Sequence, residues 1–79
     1  MADVRIEYCV ECMYLGRALE VAEALLRDHS DQIDGLTLVP GTRGVFRVSL
    51  DGESVRAVEP GELPPSVEDV RAKVASALA

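Results

Sequence analysis

Val4-Arg5-Ile6-Glu7-Tyr8-Cys9-Val10-Glu11-Cys12-Met13-Tyr14 is the stretch that decides how this chain is read. Val4, Ile6 and Tyr8 alternate with Arg5 and Glu7, the period of two that marks a strand with one buried face. From about Cys12 to Arg27 the period becomes helical. Leu15, Leu19, Ala22 and Leu26 make one apolar stripe, with Ala18, Val21 and Leu25 beside it. The only two cysteines, Cys9 and Cys12, sit at the junction with C-x-x-C spacing. Two thiols so spaced on a first helical turn close a disulfide with little backbone movement. The free N–H groups of that turn also stabilise a thiolate. Strand, C-x-x-C, helix is the placement a thiol–disulfide redox site needs, so Cys9 and Cys12 are the candidate catalytic residues.

Outward from that stretch, Asp28 to Asp31 is polar and predicts the end of the helix. Leu36-Thr37-Leu38-Val39 predicts a second strand, short and central in the sheet. Pro40-Gly41-Thr42-Arg43-Gly44 reads as a turn-rich loop. Val45–Leu50 and Glu53–Val58 flank Asp51-Gly52, the strongest short hairpin signal. Pro60, Gly61, Pro64 and Pro65 predict a further loop. Ser66 caps a last helix with Asp69 at the capping-box position, and Val67, Val70, Val74, Ala77 and Leu78 form its buried stripe. The order is β-α-β-β-β-α. A right-handed β-α-β crossover makes the first two strands parallel. If the third strand runs antiparallel beside the first, the C-x-x-C, the Pro40–Gly44 loop and the Glu59–Pro65 loop meet at one end of the sheet.

The composition sets bounds on function. The 79 residues predict a single domain, residues 1–79, and an apolar fraction of 48% argues for a packed core. Aromatic residues are only Tyr8, Tyr14 and Phe46, so the core is aliphatic. The net charge is −6, with no basic patch, which argues against nucleic-acid binding. No apolar run approaches the ~18 residues of a membrane span and no signal-peptide pattern is present. A cytoplasmic, reducing setting and no membrane partner are therefore expected. In that setting a C-x-x-C is catalytic, redox-sensing or metal-binding more often than a permanent staple.

Other chemistries fit the two cysteines less well than the redox reading. Zinc normally takes four ligands, and the single His29 lies at the far end of the first helix. A Cu(I) carrier needs only two cysteines, but such domains place a Met where Glu7 stands and follow a different element order. No metal-binding residue is therefore assigned. Gly41 and Gly44 lack the Lys-Ser/Thr of a phosphate loop and read as tight-turn residues. The alternative to a redox protein is a metal-binding or partner-binding module that uses the two cysteines without turnover. Glu11, between the thiols, opposes acidification of either by like-charge repulsion, which predicts a reducing poise. Arg5 and Arg17 are the candidate counter-charges. Tyr8 and Tyr14 are expected to pack half-buried beside the site.

The segments Val4–Tyr14, Arg17-Ala18, Leu25-Leu26, Leu36–Gly41, Gly44–Val48 and Asp51-Gly52 together carry a resemblance. In register over most of the chain, they resemble the selenoprotein W-like (Rdx) family, a branch of the thioredoxin-like fold. The resemblance implies an α/β fold, a minimal thioredoxin-like β-α-β-β-β-α with one mixed four-stranded sheet and two helices. It implies a small thiol–disulfide oxidoreductase with no bound cofactor. Its partners would be protein or low-molecular-weight thiols and disulfides, with glutathione a candidate reductant or substrate. A monomer or weak dimer is expected. Cys12 falls on the position that is selenocysteine in the selenium-containing members, and Cys9 on their cysteine. Which thiol attacks stays open: thioredoxin geometry makes Cys9 the exposed nucleophile and Cys12 the resolving thiol, the first choice here, whereas the selenocysteine correspondence points to Cys12.

Overall fold

The computed structural model of the chain describes residues 2–59 and 61–79. In chain order it holds β1 (Ala2–Cys9), α1 (Leu15–His29), β2 (Ile33–Gly41), β3 (Phe46–Leu50), β4 (Glu53–Ala57) and α2 (Val67–Leu78). The four strands form one mixed sheet in the order β2-β1-β3-β4. β2 runs parallel to β1, while β3 is antiparallel to β1 and β4 antiparallel to β3. This is the minimal thioredoxin-like arrangement expected from the sequence.

The alternation in β1 works as predicted. Ala2, Val4 and Ile6 are buried, and Asp3 and Arg5 are exposed on the other face. α1 packs on β1 and β2, α2 packs on β3 and β4, and the two helices touch. Between them lies one apolar cluster in which Ile6, Phe46, Val48, Leu25, Val70 and Val74 have no solvent exposure.

Three expectations about α1 and β2 are corrected. The first helix begins at Leu15, not near Cys12, and ends at His29, so Asp28 and His29 are helical. Met13 takes a left-handed conformation, φ 61°, which a right-handed helix cannot contain. The face of α1 that reaches the core is Ala18, Val21, Ala22 and Leu25. Leu15, Leu19 and Leu26 of the expected stripe are exposed. Both stripes are apolar, and the one carrying two alanines lets the helix approach the sheet closely. β2 is nine residues long and forms an edge of the sheet, not its centre. The crossover lays β2 on one side of β1, and β3 takes the other side.

The hairpin turns at Asp51 and Gly52, with φ 51° and 89°, as a two-residue loop with both central residues at positive φ requires. A register shift between Val48 and Ser49 leaves Val55 outside the pairing. At α2, the Asp69 N–H donates to Ser66 Oγ at 3.1 Å, so Ser66 is the cap. The Asp69 carboxylate accepts from Arg56 Nε at 2.6 Å and ties α2 to β4. Val70 and Val74 are buried, Val67 and Leu78 half-buried, and Ala77 is exposed, contrary to expectation. Pro60, predicted in the loop before α2, lies outside the described residues. Among the described residues no helix is long and apolar enough to cross a membrane.

Candidate functional site

Cys9 is the last residue of β1 and lies opposite Gly41 at the end of β2. The Val10 N–H extends that pairing by donating to the Gly41 carbonyl at 3.1 Å. The chain then turns. Met13 N–H donates to the Val10 carbonyl at 3.1 Å, and Tyr14 N–H to the Cys9 carbonyl at 3.2 Å. Cys12 therefore stands in a turn before α1 and not on its first helical turn. The Cα atoms of Cys9 and Cys12 are 5.3 Å apart, inside the range a disulfide spans, and their sulfurs are at disulfide distance. The donor that serves sulfur is the Cys12 N–H, which lies 3.2 Å from Cys9 Sγ.

Exposure of the two residues reverses the first expectation. Cys9 is fully buried and Cys12 is exposed. Cys9 ends a strand whose pairing with β2 continues through Val10, whereas Cys12 lies beyond that pairing, in the turn that leads to α1.

The three predicted segments converge. Cys9, Glu11, Cys12 and Tyr14 line a cleft of about 350 Å³ together with Arg43 and Gly44 and with Gly61, Glu62 and Leu63. Arg43 and Gly44 form a tight turn with φ 62° and 77°, closed by the Val45 N–H donating to the Thr42 carbonyl at 3.3 Å. Gly44 is thus a turn residue, as expected. Gly41 is needed for space, because a Cβ there would lie 2.7 Å from Val45 Cγ1 and 3.2 Å from Glu7 Cγ.

The cation that lines the cleft is Arg43, not the expected Arg5 or Arg17. Arg5 lies on the exposed sheet face, lining a separate depression with Glu7 and Arg47. Arg17 Nη1 donates to the Pro65 carbonyl at 2.6 Å, and its Nε faces Glu20 Oε1 at 3.5 Å without a hydrogen bond. Tyr14 Oη donates to the Glu62 carbonyl at 3.2 Å, and its ring meets Phe46 edge-on at 6.3 Å. The Arg17–Pro65 and Tyr14–Glu62 bonds, which no local pattern announces, moor the Gly61–Pro65 wall to the start of α1. Arg17 stood in the motif that carried the resemblance, but nothing in its neighbours named Pro65 as its partner.

Tyr8 is half-buried against the core, as expected. His29 Nδ1 lies 3.3 Å from Gln32 Oε1 in the last turn of α1, away from the cleft. Among the described residues no three His, Cys, Asp or Glu side chains gather closely enough to hold a metal ion.

The sequence profile described as the Rdx family matches residues 3–75. The fold is shared with a crystal structure of a Bordetella parapertussis protein: TM-score 0.82, 31% identity, 96% of each chain covered. It is also shared with the crystal structure of a selenoprotein W-related protein from Vibrio cholerae: TM-score 0.86, 23% identity, 99% of this chain and 98% of that one covered. No curated protein sequence matches at a significant level.

Proposed function

The chain belongs to the Rdx family, and from that premise we propose that it is a small thiol–disulfide oxidoreductase working through Cys9 and Cys12. The observation that carries the reading is the pairing of one exposed and one buried cysteine, their sulfurs at disulfide distance, in a cleft open to solvent.

The cycle starts from the dithiol. The Cys12 thiolate attacks one sulfur of a substrate disulfide; a Cys12–substrate S–S bond forms, the substrate S–S bond breaks, and the departing thiolate takes a proton from water. Cys9 then gives up its proton, and its sulfur attacks Cys12 Sγ. The Cys9–Cys12 bond forms and the second substrate thiolate leaves. Two electrons pass from the dithiol to the substrate, which ends as two thiols. Two external thiols, protein or low-molecular-weight, glutathione among the candidates, or one external dithiol, reduce Cys9–Cys12 by two successive exchanges, leave as their own disulfide and complete the cycle. The N–H of Cys12 supports negative charge on Cys9 sulfur during closure, when that sulfur must be a thiolate despite its burial.

Glu11 works against a strongly acidified thiol, so the pair is assigned a reducing poise. Equilibration with glutathione redox buffers tests this; a potential in the strongly oxidising class overturns it. A monomer or weak dimer in the cytoplasm is the setting that fits such a protein.

The alternative is a metal-binding or partner-binding module without turnover. Elemental analysis of the purified protein, together with insulin and glutathione-disulfide reduction assays, separates the two. Metal-free protein that reduces disulfides supports the oxidoreductase. Stoichiometric metal without turnover supports the alternative.

A further inference from the structure

The surface around Cys12 bears on what kind of disulfide is brought to it, a question that rests on the redox reading above. Among the described residues the two most exposed large apolar side chains are Met13, at 87%, and Leu63, at 84%. Single exposed apolar residues are ordinary. These two come from distant segments: Leu63 is part of the cleft wall, and Met13, which does not line the cleft, directly follows the exposed Cys12 in the chain.

Neither is placed there by a loose chain. Met13 sits at φ 61°, a conformation uncommon for a residue without a short polar side chain. Leu63 lies between two moorings, Tyr14 Oη to the Glu62 carbonyl and Arg17 Nη1 to the Pro65 carbonyl. Val10, within the C-x-x-C itself, is also more than half exposed.

Charge points the same way. Glu11 and Glu62 line the cleft against one cation, Arg43, on a chain of net charge −6. The Glu62 carboxylate accepts from the Glu59 N–H at 2.7 Å, which fixes it in position and leaves its charge in place. A small anionic disulfide meets repulsion here and has no apolar side chain to cover Met13 and Leu63.

We propose that the substrate of Cys12 is a polypeptide disulfide whose reacting cysteine is flanked by an apolar and a basic side chain, and that small anionic disulfides such as oxidised glutathione are poor substrates. The apolar neighbour covers Met13 and Leu63, and the basic one faces Glu11 and Glu62. The chemistry is the exchange already written: Cys12 bonds to the peptide sulfur, and the other sulfur leaves as a thiolate.

The test uses the reduced full-length protein and cysteine peptides activated as 2-pyridyl disulfides, with release of pyridine-2-thione followed by absorbance. The reacting cysteine is flanked by Leu and Arg, Leu and Asp, Gly and Arg, or Gly and Gly, and the glutathione conjugate is the fifth substrate. Each rate is divided by that of a small neutral thiol with the same substrate, which removes the intrinsic reactivity of the disulfide. The Leu/Arg peptide reacts fastest and the Leu/Asp peptide and glutathione conjugate slowest, with each unit of charge worth about two- to fivefold, as for exposed charge pairs. The charge preference fades near 1 M salt, where screening acts over ~3 Å. Glu11→Gln lowers the Arg-to-Asp rate ratio. Met13→Asn, which tolerates the left-handed backbone, and Leu63→Ser lower the Leu-to-Gly ratio. Equal rates across the peptides, or a glutathione conjugate as fast as the Leu/Arg peptide, overturn the inference and leave the redox reading standing. No release from any substrate by correctly folded protein overturns both.

Discussion

The backbone N–H of Cys12 donates to the Sγ of Cys9 at 3.2 Å, so the exposed cysteine supplies the polar partner of the buried one. That relationship divides the work between them. A buried sulfur is disfavoured as a thiolate, and a donor aimed at it offsets part of that penalty. It remains out of reach of an external disulfide, whereas Cys12 is open to solvent. Cys9→Ser protein is therefore expected to form a stable mixed disulfide with a labelled disulfide, because Cys12 attacks and nothing resolves the adduct. Cys12→Ser protein is expected to form none. Non-reducing mass spectrometry reads both, and an adduct found only in Cys12→Ser protein would return the attacking role to Cys9.

Gly41 sets the floor of the site. It pairs with Cys9, its carbonyl accepts from Val10, and a Cβ would press on Val45 Cγ1 at 2.7 Å. Gly41→Ala is expected to destabilise the fold by about 1–3 kcal/mol, the range for inserting a methyl group into packed structure. Val45→Ala in the same chain is expected to recover part of the loss. A double-mutant cycle from urea unfolding would then show a coupling of at least ~0.5 kcal/mol. Additive effects would mean that the two groups do not collide.

The parts of this architecture that could be read ahead of the structure are those fixed by near neighbours. The alternation of Val4, Ile6 and Tyr8 needs only a pleat, and Asp51-Gly52 needs only two residues at positive φ. Which side of α1 is buried was not legible, because Leu15, Leu19 and Leu26 are as apolar as Val21 and Leu25. The edge position of β2 depends on which flank of β1 the third strand takes, and nothing within Ile33–Gly41 records that. The order of exposure of the cysteines follows from Cys9 being the last paired residue of β1 and Cys12 standing in the turn beyond it, a boundary the C-x-x-C spacing does not record. The moorings of the cleft wall join positions 48 apart in sequence, Tyr14 with Glu62 and Arg17 with Pro65. The Cys9–Cys12 pair itself was legible because its spacing and its place between strand and helix are local facts.

The helix pair carries a pH-sensitive link. Arg71 on α2 donates to both carboxylate oxygens of Asp28 on α1, at 2.7 and 3.2 Å, and also pairs with Glu68 at 2.8 Å. The hydrogen bond from Arg71 is the main cause that holds the Asp28 carboxyl below its usual range; the charges of Arg71 and His29 add to it and partial burial opposes it. A carboxyl whose folded-state pKa is depressed adds stability that is complete above the unfolded-state value, ~3.9 for Asp, and is lost as the pH falls through the lower folded-state value. Asp28→Asn is therefore expected to lower the urea midpoint at neutral pH. The difference from the parent chain should shrink on acidification below about pH 4. A difference independent of pH between neutrality and strong acid would show that the charge of Asp28 is not what matters.

Arg17 offers the last test, because its bond to the Pro65 carbonyl is the strongest polar tie between α1 and the cleft wall. At 2.6 Å it is a short, charge-assisted bond. The Arg17 side chain is about one-third exposed, so water can replace part of what is lost on truncation. Arg17→Ala is expected to cost roughly 1.5 kcal/mol, the low end for a hydrogen bond to a charged group. The larger consequence is local. Without this tie Tyr14 Oη still joins the wall of Gly61, Glu62 and Leu63 to the start of α1, but with one bond fewer the amides of residues 61–63 should exchange with solvent faster. Cys9 stays paired opposite Gly41, so the reaction of Cys12 with a small neutral disulfide should hold its rate while that with an apolar-flanked peptide falls. Hydrogen exchange unchanged in residues 61–63 would show that Arg17 does not position the wall.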